Sequence, residues 1–426
     1  MDRKGFINEQ ELLFERLSQE AGDGGELASA MKKMYSLFDE SMVDWFANLY
    51  DTETGGYYYS NSARDNKTVM FQDKEYDLLP DAESTCQALG FISSSGLARE
   101  CENSYTKALP DWAVKKTGEF IYSLQDPDGY FYHPQWGKEI SLSRRARDFN
   151  WSIGILRNIG ITPKYQTILD KKPEDKSSSG ETLIPEHLSS KEKFLEYLEA
   201  GNIAENSYSL GNQISCQAPQ IRALGLLDVC ADYLDAHQHP ETGIWHNETT
   251  YLGINGVMKI TGFYNSAHRP IPNALRTAES AIAAITSEQY VGAVVDLWNT
   301  WEAVIRILIN LRECGGEKGA RDAEEIVKQL RANAPYAIEK SYEKISRFKK
   351  PDGGFSYKQN GTSFTSQGSP VAIKESAEGD VNATVISSTH LVTSILGTLN
   401  LGKYKVPMFG ECDRQRYVEI LENNRK

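Results

Sequence analysis

The feature that most constrains this chain is a motif that occurs four times along it. A helical stretch carrying apolar and aromatic residues runs into a glycine-centred turn, and an aromatic side chain follows at once. The four segments are WFANLYDTETGGYYYS (45–60), FIYSLQDPDGYFYHP (120–134), YLDAHQHPETGIWHN (233–247) and ISRFKKPDGGFSYK (345–358). DTETGG, DPDG, HPETG and KPDGG are turn chemistry, because proline presets φ and glycine takes the positive φ that ends a helix. The aromatics that follow, Tyr57, Tyr130, Phe131, Trp245 and Phe355, are expected to fold back as wedges between neighbouring helices, each burying a large area.

After each turn comes an extended polar stretch and then a helix whose first turn carries Asp, Asn or Glu. These are LLPDAESTCQALGFI (78–92), RRARDFNWSIGILRNI (144–159), RPIPNALRTAESAIAAI (269–285) and EGDVNATVISSTHLVTSIL (378–396). Two more starts, GNQISCQAPQIRALGLL (211–227) and VVDLWNTWEAVIRILINL (294–311), look similar without the preceding turn. Polar residues at such starts accept hydrogen bonds from the free amides of the first turn. Helices that are apolar nearly all round are buried, whereas amphipathic ones, expected at 28–48, 108–125, 221–238 and 322–348, lie outside. Six buried helices within a ring of amphipathic ones is an all-α fold of the (α/α)6 toroid type. On this reading residues 1–30 form an N-terminal helical extension and 31–426 the toroid. A Lys-, Ser- and Asp-rich stretch around 162–193 is an exposed insertion or lid.

Charge and cysteine usage narrow the function classes. Lys plus Arg is 46 against 59 Asp plus Glu, a formal net charge of −13. Nucleic acid would need a basic stripe, which this balance argues against, although a local Arg or His pocket can still hold an anionic small molecule. The cysteines, Cys86, Cys101, Cys216, Cys230, Cys314 and Cys412, form no CxxC pair and no zinc-finger spacing, so they read as buried free thiols of a reducing compartment. No apolar signal segment and no run of 18 apolar residues is present, which points to the cytoplasm and to no membrane span. No metal or cofactor is expected, since Walker, GxGxxG and HExxH patterns are missing.

The string LQDPDGYF (124–131) resembles the Gln–Trp repeat of squalene-type terpenoid cyclases and the GGF repeat of protein prenyltransferase β-subunits; HQHPETGIW (237–245) and KKPDGGF (349–355) are near variants. The resemblance extends over residues 30–400 through these repeats only. It implies an α/α toroid whose inner-helix N-termini open onto a central cavity carrying the catalytic residues. The matching positions are Asp81, Glu83, Asp148, Asn150, Asn273, Asp296, Asn299, Asp380 and Asn382. The chain departs from the family at its chemistry: DAES (81–84) stands where cyclases carry a DxDD acid motif, and DVN (380–382) where prenyltransferases carry a zinc-binding DxC.

A mouth of Asp, Asn, Glu, Arg and His flanked by aromatics suits a hydroxyl-rich or anionic small-molecule or oligosaccharide substrate better than a terpenoid. This is the reading of a carbohydrate-active lyase or hydrolase. ITGFYNSAHRPIPNA (260–274), read as a proline-bounded loop before an inner helix, gathers lyase chemistry: Tyr264 or His268 as base and acid, Asn265 with Arg269 to hold a uronate carboxylate. Hydrolysis would instead use two of Asp81, Glu83, Asp148 and Asp380, each of which is also a helix cap. Tyr132 and Trp136 offer a sugar platform, His133 acid–base chemistry, and Asn150, Asn273 and Asn382 substrate contacts. Arg144, Arg145 and Arg147 read as a solvated charge run, as partners of the acids or as an anion site. The competing readings are a cyclase-like enzyme with a deep apolar cavity and one acid, or a non-catalytic toroid that binds a partner through an exposed apolar patch.

Overall fold

The computed structural model describes residues 2–170 and 183–425, so the centre of the expected insertion lies outside the described residues. The described chain is mostly helical, and its only paired strands are two short antiparallel hairpins, Thr68–Phe71 with Lys74–Asp77 and Thr365–Ser366 with Ser369–Pro370.

The helices that position the site come in sequential pairs. α1 (Arg3–Ala21) and α2 (Glu26–Tyr35) precede α3 (Glu40–Asn48), which is followed by α4 (Ala82–Ser94). Then come α5 (Asp111–Ser123) and α6 (Leu142–Ile159), α7 (Lys191–Ala200) and α8 (Ile203–Ala223), α9 (Leu227–His237) and α10 (Tyr251–Ala267). The last are α11 (Ala274–Ile285) with α12 (Val294–Cys314), and α13 (Gly316–Ile345) with α14, which joins Val381–Val385, a π-helical turn at Ile386–His390 and Leu391–Thr398. α15 (Glu411–Asn424) packs on α3. The second members of the pairs pack on one another in chain order: α4 on α6, α6 on α8, α8 on α10, α10 on α12, α12 on α14, and the first turn of α14 back on α4. The first members lie outside them, α5 on α6, α9 on α8 and α10, α13 on α12.

The four turn motifs share one hydrogen-bond geometry. The N–H groups of Asp51, Asp126, His239 and Lys350 donate across the turn to the carbonyls of Gly56, Tyr130, Ile244 and Gly354 at 2.8–2.9 Å. The aromatics that follow, Tyr57, Tyr130, Phe131, Trp245 and Phe355, are all buried, as wedges should be. Each turn docks on backbone. At Gly243 (φ +70°) a Cβ would stand 2.4 Å from Thr277 N in α11, and at Gly353 (φ +101°) 2.4 Å from Ser41 O in α3. No other residue type fits those two contacts and that φ together. The fourth turn thus docks on the first outer helix.

Three expectations change. α6 begins at its Ser141 cap, which accepts from Arg144 N, so Asp148 lies well inside the helix rather than at its start. α11, expected as a buried helix, has one buried face only, Ala274, Thr277, Ala278, Ala281, Ala284 and Ile285, and Asn273 gives it no side-chain cap. The buried helix that follows the third turn is instead α10, the partner of α9, and its last turns occupy most of the segment expected to be a loop before an inner helix. At the N-terminus, Arg3 pairs with Asp413 and Glu40, Gln10 donates to Pro407 O, and Phe6, Phe14 and Leu17 are buried, so α1 docks on its own chain. α2 runs through the expected boundary at residue 30.

Candidate functional site

A cavity of about 810 Å³ is lined by α4, α6, α8, α10, α12, α14 and the hairpin segment 363–368. Tyr59, Trp151, Tyr208, Trp298 and Tyr357 stand in its walls among amides such as Asn150, Asn212, Asn299 and Asn382. The π-helical turn contributes Ile386 and His390 to the lining, a placement common for such turns at functional sites. A second hollow, of about 830 Å³, runs along the outside of α3; its acids are committed elsewhere, Asp44 to Arg416 and Asp51 and Asp352 to turn amides.

The acids expected to be catalytic do converge, but in a knot beside the cavity. Arg144 is fully buried and donates to Asp148 (2.7 Å) and Glu83 (2.8 Å), with Asp81 3.6 Å away. The guanidinium lies 4.6 Å from the Trp136 ring centre, and the Trp136 indole N–H donates to Pro370 O. Glu83 also accepts from Arg147 (3.2 Å) and from Ser366 Oγ (2.6 Å), while Asp81 caps α4 through Ser84. Burial raises the Asp81 and Asp148 carboxyls above their ordinary value, against the pull of Arg144. His133 is buried there too, pushed down to about 3 by burial, so its neutral ring accepts the Ala82 N–H at Nε2 (3.0 Å). These carboxylates are held by ion pairs and hydrogen bonds within the protein.

Asp380 is different in partner but not in role. It caps α14 through Ala383 N (2.8 Å) and accepts from Tyr357 N (2.8 Å) and Thr362 Oγ (3.1 Å). No cation pairs with it among the described residues, and burial pushes it up to about 7. Asp81 and Asp380 occupy equivalent places: their N–H groups donate to Tyr57 O and Phe355 O, and Thr85 and Thr384 accept the N–H of the same two aromatics. Both therefore anchor a turn motif to a helix start.

The segment expected to carry lyase chemistry lies away from the cavity, at the C-terminal end of α10. Tyr264 is buried and donates to Asp235 (2.5 Å), and Asn265 bonds Arg306 O and Asn310. His268 is exposed with φ +53° at the helix end, and Arg269 pairs with Asp228, Asp232 and Asp235 on α9. Asn273, whose backbone N–H donates to Gln238, and Tyr132, which donates to Asp128, do not line the cavity. Of the expected contacts, Asn150 and Asn382 do line the cavity; they bond Cys216 O and Gln87 respectively.

Two cations face the cavity, and Lys259 was not among the expected residues. Arg147, expected in a solvated run, as a partner of the acids or as an anion site, reaches Glu83, Asn212 Oδ1 (2.8 Å) and Cys216 Sγ (3.3 Å). Lys259 stands in the cavity from the middle of α10, its ammonium 5.9 Å from the Tyr208 ring centre, and makes no ion pair among the described residues. It is half-buried by area because it faces cavity space, yet protein surrounds it; burial, then the Arg147 charge, pushes it down to about 7. A signal existed: Lys259 is the one charged residue in the seventeen of α10. Cys216 lines the cavity and is only half-buried, unlike Cys230, and all six cysteines are free.

No protein-family model matches this chain, and neither a curated protein nor a solved structure does. Among the described residues no cluster of His, Cys, Asp or Glu is arranged to hold a metal ion, and no helix is long and apolar enough to cross a membrane.

Proposed function

We propose that the chain is an (α/α)6-toroid enzyme that shares architecture, not chemistry, with terpenoid cyclases and prenyltransferases, and that it cleaves an anionic oligosaccharide by elimination. The toroid is supported by the order of packing, which passes through α4, α6, α8, α10, α12 and α14 and returns to α4. The observation that carries the function is Lys259, an amine without a carboxylate partner, beside Arg147 in a polar, aromatic-walled cavity.

In a uronate, the proton next to the carboxylate becomes acidic once that carboxylate is neutralised, which is the work of Arg147. Lys259, neutral above about pH 7, takes that proton. A carbon–carbon double bond forms, the bond from the neighbouring carbon to the glycosidic oxygen breaks, and the leaving oxygen takes a proton from Tyr208, which burial keeps protonated. Hydrolysis has less support, since Asp81, Glu83 and Asp148 are tied to arginines. A terpenoid would meet amides and cations where it needs hydrocarbon walls.

The test is the ultraviolet band of an unsaturated uronate, followed while purified protein meets a panel of uronate-containing oligosaccharides. Lys259→Met should lower the rate by about 10²-fold or more while the fold is kept. Absence of the band across the panel, or full activity in that variant, removes the proposal.

A further inference from the structure

The cavity is chemically two-sided. Arg147 and Lys259 converge on the wall made by α8, where Tyr208, Asn212 and Cys216 meet them. On the wall made by α12, α14 and α4 two buried side-chain oxygens, Asn299 Oδ1 and Gln87 Oε1, have no donor among the described residues. Asp296 Oδ2 takes the N–H groups of Gly292 and Ala293, and its Oδ1 takes Asn255 Nδ2 at 2.9 Å. Asn255 Oδ1 in turn takes Asn299 Nδ2 at 2.9 Å. The carboxylate can only accept, so it fixes both amides in one orientation and leaves Asn299 Oδ1 as the open end of the chain. That oxygen is buried and no protein group donates to it. Gln87 repeats the pattern from α4: its Nε2 donates to Asn382 Oδ1 at 2.9 Å, and its Oε1 is left without a donor.

Buried acceptors without donors are costly, and those of a binding wall are satisfied by the ligand. Two carbonyl oxygens on separate helices call for two donors held apart on one rigid body. An ammonium would have to approach a site that already holds Arg147 and Lys259, so the donors are neutral. Hydroxyls fit.

We infer that Gln87 and Asn299 read ring hydroxyls of the substrate, while Arg147 holds its carboxylate beside Lys259, so that a polyhydroxylated cyclic acid binds in one orientation across the cavity. This rests on the placement of the reaction in this cavity but not on elimination taking place there. Asn255 and Asp296 are positioning residues that set the polarity of Asn299.

Binding without turnover tests it. Calorimetry would compare D-glucuronate, D-glucose (hydroxyls without the carboxylate) and cyclohexanecarboxylate (the carboxylate without hydroxyls) on the full chain. Glucuronate should bind about tenfold or more tighter than either, one net hydrogen bond or charge contact being worth about that ratio. Gln87→Met and Asn299→Leu should each cut glucuronate affinity about tenfold and leave cyclohexanecarboxylate unchanged; Arg147→Met should weaken both acids. Circular dichroism checks each fold, and if the buried Asn299 variant does not fold, half-buried Gln87 decides. Equal affinity for glucuronate and cyclohexanecarboxylate overturns the inference, as does no binding of any probe, or loss of both acids in Gln87→Met. Glucuronate selectivity without any ultraviolet band on oligosaccharides would leave this inference standing and sink elimination alone.

Discussion

Around Arg144, three carboxylates converge on one guanidinium at 2.7–3.6 Å; around Lys259, no carboxylate stands within ion-pairing reach among the described residues. Both cations are deep in the molecule, and Arg147 links them, bonded to Glu83 on one side and to the Asn212 and Cys216 wall on the other. The knot spends its charge internally. Every oxygen of Glu83 and Asp148 has a donor, and the result is a rigid junction between α4, α6 and the 365–370 hairpin. The cavity wall leaves the Lys259 amine without an ion-pair partner among the described residues, which costs stability.

The largest effect should come from breaking the knot. Arg144→Met strands Asp81 and Asp148 in the interior and leaves Glu83 with Arg147 alone as its cation, and removal of one partner from a buried ion cluster costs about 3–5 kcal/mol. Urea denaturation measures it, and a loss under about 1 kcal/mol would mean that the knot is not the junction described. Lys259→Met is the counterpart: it removes a buried charge with no partner, so stability should hold or rise while activity falls. If the two methionine variants destabilise equally, the contrast between the regions fails.

The pH dependence separates the regions next. Lys259 is held at about 7 in the folded chain against an ordinary 10.5. The folded state therefore gives up this proton before the unfolded one does. The penalty is present in full below about pH 7 and is relieved as pH rises from there toward 10.5, and the base itself becomes competent through the same lower limit. Activity should thus climb through about pH 7, and Lys259→Arg should abolish the climb. Asp380 has the opposite sign. Its folded value of about 7 lies above 3.8, so the stability it contributes is present below about pH 4 and is lost as pH rises through about 7. Asp380→Asn should flatten that slope in thermal melts; an unchanged slope would show that Asp380 ionises in the fold as it does in water.

The turn motifs, the wedges and the helix starts at Asp81 and Asp380 were legible because local chemistry decides them: proline, positive-φ glycine and a capping carboxylate act within a few residues. α10 was not. YLGINGVMKITGFYNSA carries three glycines, and its N-cap Thr250 makes no side-chain capping hydrogen bond, so its propensity is poor, and burial between α8 and α12 rather than local preference makes it a helix. Missing it moved α11 inward and made Tyr264, Asn265, His268 and Arg269 look like a loop at a mouth. It also hid Lys259. The acids of the knot were legible as residues but not in role, since their pairing with Arg144 spans α4 and α6 and no spacing along the chain encodes it. Asn299 was flagged as a mouth residue, but its open oxygen depends on a hydrogen-bond chain through α10 that only the fold brings together.

The smallest effect belongs to the end of α10, where the comparison makes its plainest claim. His268 is exposed, ends the helix at φ +53°, and its N–H closes onto Asn265 O. A side chain in that conformation is mildly strained, and glycine relieves the strain. His268→Gly should therefore leave the melting midpoint level or slightly higher, within about 1 kcal/mol, and leave turnover unchanged. Arg269→Ala removes a contact to three acids that solvent already screens, worth at most about 1 kcal/mol. Were either substitution to abolish turnover in a folded protein, catalysis would lie at the C-terminal end of α10, and Lys259 would be an unpaired lysine with no part in it.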